Sequence, residues 1–393
     1  MSAAKQFHDL LLDLLKIERR FDPFFRPAFD ALFQEPLAAL AQLWITRSGD
    51  TGGLKLAEER SMPGEDELLE QIIQTVRAFM ETRYRPGMFE RGGNTKTHGI
   101  VRGDFIVRDD LAPEYRHGVF NAPRSFRAWV RFGGPGPASP PDIDDVGVLS
   151  IGVKLMGVPG PKLLEDEKFT QDFTGISTPT FTTPDVCANA KLQAAIGRGT
   201  PLFHFLNFSD PHVLDGVMQG LWARTHTSPL ETRYWSCVPY LLGAGRAMQY
   251  SFRPHVAVRT RIPRLPLRPS DNYLRENMAS TLSQHEAVFD FLVQLQTDAG
   301  RMPIENASVR WPEKLSPPVA VATLRLPRQT FDLPAQLAFA HRLALNPWHC
   351  VPEHRPLGNQ NRARRRVYQE LSRFRQLMNA TPHIEPTGDE AFS

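Results

Sequence analysis

Residues 95–107 read Thr95-Lys96-Thr97-His98-Gly99-Ile100-Val101-Arg102-Gly103-Asp104-Phe105-Ile106-Val107. From His98 onward the run has the apolar content and short length of a strand. Similar runs follow at Ser125–Phe132, Val146–Leu155, Thr232–Val238, Ala247–Phe252, Ala257–Ile262, Glu286–Gln294 and Val319–Leu326. Proline and glycine punctuate them, as between Pro135 and Pro141. Repeated short strands with such breaks predict an antiparallel barrel or sandwich.

Outward from these strands the pattern turns helical. Leu10, Leu11, Leu14, Leu15 and Ile17 recur at helical spacing within 5–46, although Pro23, Pro27 and Pro36 interrupt that stretch. Such an amphipathic helix packs on the body, on a second subunit or, less in keeping with its sequence, on a membrane surface. Residues 65–84 form the clearest long helix, with acidic residues in the first turn where the helix dipole favours them. Residues 185–225 read as a helical excursion from the sheet, and Arg362–Met378 as a charged helix with an apolar stripe.

Composition is that of a globular chain able to bury a large core: 393 residues, 41% apolar and 23% charged. The 34 prolines limit regular helix. A net charge of +3 gives no general attraction to nucleic acid. The basic run Arg362, Arg364, Arg365, Arg366 lacks the aromatic partners of an RNA site. Cys187, Cys237 and Cys350 lie far apart, without a CxxC pair or an even framework. With no secretory leader and no membrane-length apolar run, the expectation is a reduced, cytoplasmic protein.

The C-terminal helix carries the most informative constellation. At 100° per residue, Tyr368 and Arg375 fall within about 40° and about 20° of Arg364, on one stripe. A guanidinium beside a phenol favours the phenolate, a hard anionic ligand for ferric iron. An arginine further along the stripe can pair with a carboxylate. The spacing alone fits equally a surface helix with solvated arginines.

Arg364-Arg365-Arg366-Val367-Tyr368, closed by Arg375, resembles the proximal motif of the haem catalase family. Glu353-His354-Arg355-Pro356-Leu357-Gly358 resembles its smaller bacterial branch, the catalase-related peroxidases and allene oxide synthase-like proteins. The likeness runs in order through Thr95–Phe105, Ala128–Phe132, Asp144–Leu155, Thr170–Phe181, Met302–Glu305 and Trp311–Glu313, covering about residues 90–378. It implies an α+β fold with an eight-stranded antiparallel barrel (91–330), a helical arm (1–90), a wrapping segment and proximal helix (331–378) and a polar tail (379–393). The barrel would leave one end as the pocket floor. It further implies haem b, Tyr368 as iron ligand, and Arg131, Arg364, Arg375 and Phe181 around the cofactor. His98 would be the distal base, with Thr97 and Arg364 assisting catalysis, and the chain would act as a homo-oligomer.

Three departures bear on activity. The family's distal asparagine aligns with Ile176, beside Ser177; the serine steadying the histidine aligns with Gly133. The arginine three residues before the histidine is Thr95, with Lys96 as a partial substitute. An apolar pocket without the amide suits an organic hydroperoxide better than hydrogen peroxide. The expected function is therefore a haem peroxidase or weak catalase. A fatty-acid hydroperoxide isomerase, for which Thr97 speaks, and a non-catalytic haem binder are the alternatives.

Overall fold

A computed structural model of the chain describes residues 3–48, 53–134, 136–207 and 209–392. Strands β1 (Thr97–Val107), β2 (Ser125–Gly133), β3 (Ser150–Met156), β4 (Thr170–Ile176), β5 (Tyr234–Trp235), β6 (Tyr240–Leu241), β7 (Ala247–His255), β8 (Ala287–Leu295) and β9 (Val319–Leu326) form one antiparallel sheet. β1 pairs with both β2 and β9, and β5 pairs with β7. The ring β1-β2-β3-β4-β5-β7-β8-β9 thereby closes as an eight-stranded barrel, and β6 is a short addition on β7.

Alternation along each strand decides which side chains fill the barrel. Phe126, Val130 and Phe132 of β2 point into the core shared with Val101, Phe105, Phe173, Phe289 and Phe291. Phe105, Phe173, Tyr250 and Phe291 pack ring against ring, with Phe173 and Phe291 centroids 4.9 Å apart. Aromatic bulk leaves the lumen a packed core. The other face of β1–β4 carries Ile100, Trp129, Arg131, Lys154, Asp172 and Thr174, and helices cover it.

Helix α1 (Ala3–Phe29) runs through Pro23 and Pro27 into a π turn (Asp30–Gln34) and α2 (Glu35–Ser48). Pro23 cannot donate to the Arg19 carbonyl one turn back; the Thr225 hydroxyl donates to that oxygen instead, at 2.5 Å. α3 (Glu65–Arg83) begins with Glu65, Asp66 and Glu67. The excursion contains α4 (Val186–Gly197), α5 (Leu202–Phe205) and α6 (Val213–Trp222). Helices α7 (Tyr273–Gln284) and α8 (Pro334–Arg342) precede α9 (Asn359–Met378). α9 buries Ala363 and Phe374 against Leu69, Ile72, Val76 and Met80 of α3 and Val186 and Ala190 of α4.

Some segments differ from the sequence reading. Ala257–Ile262 is irregular, because β7 ends at His255 and the chain leaves the sheet towards α7. Val146–Leu149 precedes β3, and only Tyr234–Trp235 of the Thr232–Val238 run pairs. α7 and α8 were not expected. The tail after α9 returns to the outer wall, where Phe392 packs on Trp129 and Glu390 accepts from its indole N–H at 2.8 Å.

Candidate active site

Except for Phe181, the predicted residues lie on the outer wall of β1–β4 and on the face of α9 above it, not at an open barrel end. Arg131, Gly152 and Thr174 stand side by side across β2, β3 and β4. With strands about 4.8 Å apart, Arg131 and Thr174 are about 10 Å from each other. α9 crosses this row. Arg364 donates from Nη2 to Thr174 Oγ1 at 2.7 Å, and Arg375 lies within electrostatic reach of Arg131. Tyr368 lies between these two crossings. The Arg364 guanidinium sits 5.0 Å from the centre of its ring. Between wall and helix, Thr174, Ile176 and Tyr368 are half-buried while Gln171–Phe173, Arg364 and Phe374 are buried, and Leu345 packs on Gly152 in the middle of the row.

Charge in this space is one-sided. Arg131 and Arg375 are 3% and 4% exposed, and Arg91 reaches in beside them, donating to Ala340 O and Leu343 O. Among the described residues, none of the three forms an ion pair. Burial, then the mutual repulsion with Arg375, lowers Arg131 to about 9. Burial lowers Arg375 to about 10 and Arg91 well below its usual value. Glu90 opposes the shift in Arg91 and Arg131 only at a distance. Buried cations without a neutralising acid are costly, and their convergence makes a binding place for an anionic ligand. Arg364 behaves oppositely: burial lowers it, but the hydroxyls of Tyr368, Tyr240 and Tyr250 outweigh burial and hold it above its usual value. Its Nε is buried without a partner.

His98 occupies a β-bulge. Thr97 pairs with Gly133 and Gly99 with Phe132, which leaves His98 as the extra residue. A bulge re-aims the side chain it carries. Arg275 on α7 clamps it, donating from Nε to His98 O at 3.0 Å and from Nη2 to Thr97 O at 2.6 Å. The imidazole is 1% exposed, with no hydrogen bond at either nitrogen. Asp142 Oδ1 stands 3.5 Å from Nδ1. Burial first, then Lys96, Arg131 and Arg275, hold His98 well below the usual histidine range, so it is neutral at physiological pH. Thr97 Oγ1 accepts from Arg131 Nε and Nη2, at 3.2 and 2.7 Å. Its own hydrogen remains to donate.

The departures acquire physical reasons. A Cβ at Gly133 would lie 2.7 Å from Lys96 O and 2.9 Å from Arg131 Nη1, so no serine fits there. Lys96 does not replace the missing arginine. Its ammonium turns away to Asp142 at 2.7 Å and to the carbonyls of Pro140 and Asp271. Arg91, which sequence reasoning passed over, fills that place from the preceding loop, while Thr95 bonds to its carbonyl at 2.9 Å. Ser177, beside Ile176, is 2% exposed, and its hydroxyl accepts from Leu149 N–H at 2.8 Å. Phe181 is not drawn into these contacts. It packs against the barrel core, and its carbonyl accepts from Gln219. Asp142 and Arg275 were also missed; Asp142 precedes an expected strand and Arg275 lies on an unexpected helix.

Of the other arginines of α9, Arg362 pairs with Glu59, Glu65 and Glu305, Arg366 with Glu70 and Glu370, and Arg365 lies over the Trp348 ring. A cavity of about 450 Å³ opens elsewhere, between Ile45, Glu58, Pro184 and Glu305, and contains none of the site residues. Among the described residues, no helix is long and apolar enough to cross a membrane.

No protein-family model matches this sequence, and no curated protein matches it. Solved structures do match. A bacterial catalase is 15% identical with a TM-score of 0.55, over 86% of this chain and 66% of that one. A fungal catalase is 15% identical with a TM-score of 0.59, over 88% and 71%. Catalase A from Saccharomyces cerevisiae is 14% identical with a TM-score of 0.59, over 86% and 71%. The chain thus spans about two thirds of the length of the bacterial catalase. At these identities the likeness defines the architecture: this chain has a catalase-like fold.

Proposed function

We propose that the chain is a haem-dependent enzyme that cleaves the O–O bond of organic hydroperoxides, with hydrogen peroxide the poorer substrate. The observation that carries this reading is the set of three inward arginines, none with an acid partner, beside a tyrosine and arginine on α9. Haem fits this donor set. Arg91, Arg131 and Arg375 would meet its propionates, and the Tyr368 oxygen would ligate the iron, with the Arg364 guanidinium 5.0 Å from the centre of its ring. Bound there, haem would supply the redox chemistry.

The protein's own part is positioning and proton movement. Asp142 favours the His98 tautomer with hydrogen on Nδ1, which leaves the Nε2 lone pair as base. His98 takes the hydroperoxide proton and returns it to the oxygen that departs as alcohol, and the second oxygen leaves as water once an external organic electron donor has supplied two electrons and two protons. Ile176 makes the wall apolar where an amide would have gripped a small peroxide, which favours an alkyl-bearing substrate. The same residues would serve an isomerase, whose product retains both oxygens of the hydroperoxide, or a dehydratase, which releases one of them as water.

Expression with haem precursor followed by absorption spectroscopy tests the binding. A ferric tyrosinate-type spectrum is expected, altered in Tyr368→Phe; protein that stays colourless refutes it. Steady-state turnover of a fatty-acid hydroperoxide against hydrogen peroxide tests the substrate. Equal or faster hydrogen peroxide turnover overturns that part, and product analysis separates reduction from isomerisation.

A further inference from the structure

Within the arm formed by α1, the π turn and α2, α1 is turned inside out. His8 and Asp22 are 0% and 1% exposed, and Arg19 and Arg26 are each 8% exposed; all four face the body. Arg19 donates to Val146 O, Asp22 accepts from Thr225 N–H, and Arg26 bonds to Leu221 O and Asp30. About 150° away around the helix, the apolar side chains face outward. Thirteen phenylalanine, leucine and isoleucine residues of the arm are between 40% and 66% exposed. At roughly 200 Å² per side chain, they present about 1,300 Å² of apolar surface. An ordinary monomer's largest patch is about 300–600 Å², and a standard interface takes about 800 Å² per partner.

The spacing identifies the occupant. Phe7, Leu10, Leu14, Ile17, Phe21 and Phe24 follow intervals of 3-4-3-4-3, the seam of a coiled coil. Phe33, Leu37 and Leu40 resume it beyond the π turn. A membrane-surface helix instead carries a rim of free lysine and arginine beside its apolar face. Here Arg19 and Arg26 are consumed by the body, Arg20 pairs with Asp144, and Lys16 pairs with Asp13. The interval pattern reads the same in both directions. Two copies laid antiparallel would therefore match Phe7 with Phe24, Leu10 with Phe21, and Leu14 with Ile17. A two-fold interface requires this self-complementarity.

We propose that this arm joins two copies of the chain through an antiparallel helical seam centred between Leu14 and Ile17. Analytical ultracentrifugation of the full chain at tens of micromolar tests it. Wild type is expected as a particle of at least two chains whose mass halves in Leu14→Glu, with the dissociation constant raised about 30-fold or more. Val258→Glu, at an exposed apolar site away from the arm, should leave the assembly intact, and far-UV circular dichroism should be unchanged in both variants. A monomeric wild type, or a Leu14→Glu protein that keeps its mass, overturns the proposal. So does a monomer that co-sediments with phosphatidylcholine–phosphatidylglycerol vesicles through the arm.

Discussion

Replacing Arg375 by methionine should stabilise the haem-free protein and destabilise the haem-bound one. Its side chain is 4% exposed and forms no hydrogen bond or ion pair with a described residue. Burial lowers its pKa from the usual arginine range to about 10, which corresponds to about 3 kcal/mol of unfavourable charge burial. The sign follows from linkage: the cation is favoured more in the unfolded chain than in the folded one, so at neutral pH its charge opposes folding. Methionine keeps much of the stem packing. After about 1 kcal/mol of lost contacts, a net gain of about 1–2 kcal/mol remains. For a chain of this length that raises the melting temperature by about 2 °C. With haem present the same change removes a charge-assisted contact of about 1.5–3 kcal/mol, weakening haem binding about 10- to 100-fold. Thermal denaturation of haem-free and haem-loaded protein, with a haem titration, reads both effects. A haem-free Arg375→Met protein that melts below wild type would show that the guanidinium is held by the protein itself, and the anion-site argument would fail.

Other consequences follow from the same geometry. Asp142→Asn keeps an acceptor for Leu274 N–H but removes the charge beside His98 and Lys96; peroxide kcat/KM should fall about 10- to 100-fold with haem affinity unchanged. Ile176→Asn restores a donor on the wall and should raise hydrogen peroxide turnover relative to organic hydroperoxide turnover about 10-fold, as steady-state kinetics would show. His349 is opposed by burial and by Lys154, yet Asp166 and Asp172 outweigh both and lift it to about 9. Its contribution is therefore complete below its ordinary pKa near 6.5 and lost as pH rises through about 9. Urea midpoints should fall across that window by the equivalent of up to about 3 kcal/mol, and His349→Gln should flatten the fall. Lys154 is 0% exposed between Glu167 and Asp172; Lys154→Met removes one partner of this buried cluster, leaves His349 as the cation facing both acids, and should cost about 3–5 kcal/mol in the same assay.

The strands were legible because apolar runs between proline and glycine breaks mark β1, β2, β8 and β9 as parts of a barrel or sandwich, and the resemblance to the catalase family chose the eight-stranded barrel. Arg364, Tyr368 and Arg375 were legible for a similar reason, since helix geometry converts spacing into a shared face. What escaped depends on contacts far apart in sequence. Arg91 gains meaning only from its position beside Arg131 and Arg375. Asp142 gains it from His98, across the bulge that no propensity announces. The pocket was expected at a barrel end because the lumen's phenylalanines could not be assigned to a face before strand register was known. The arm's inverted polarity was equally hidden: helical spacing places leucines on one stripe but does not say which side the body occupies.

The departures around His98 form one connected change. Without an arginine at position 95, the guanidinium for that corner comes from Arg91, and Lys96 is released to Asp142. Lys96 keeps Asp142 charged against the burial that raises its pKa, and Asp142 faces the histidine nitrogen that a serine would otherwise have steadied. Gly133 is then required, because Lys96 O and Arg131 already occupy the volume of a side chain. Changing one position alone should therefore not install a serine beside His98 without displacing its neighbours. Gly133→Ser in this background meets Arg131 within 2.9 Å of its first side-chain atom, and overpacking of that kind costs about 1–3 kcal/mol. Gly133→Ser should lower both the melting temperature and haem affinity, because the displaced group is an anion-binding arginine. A Gly133→Ser protein with unchanged melting and unchanged haem binding would show that Arg131 moves freely, and the case for a pre-formed, arginine-lined pocket would lose its central support.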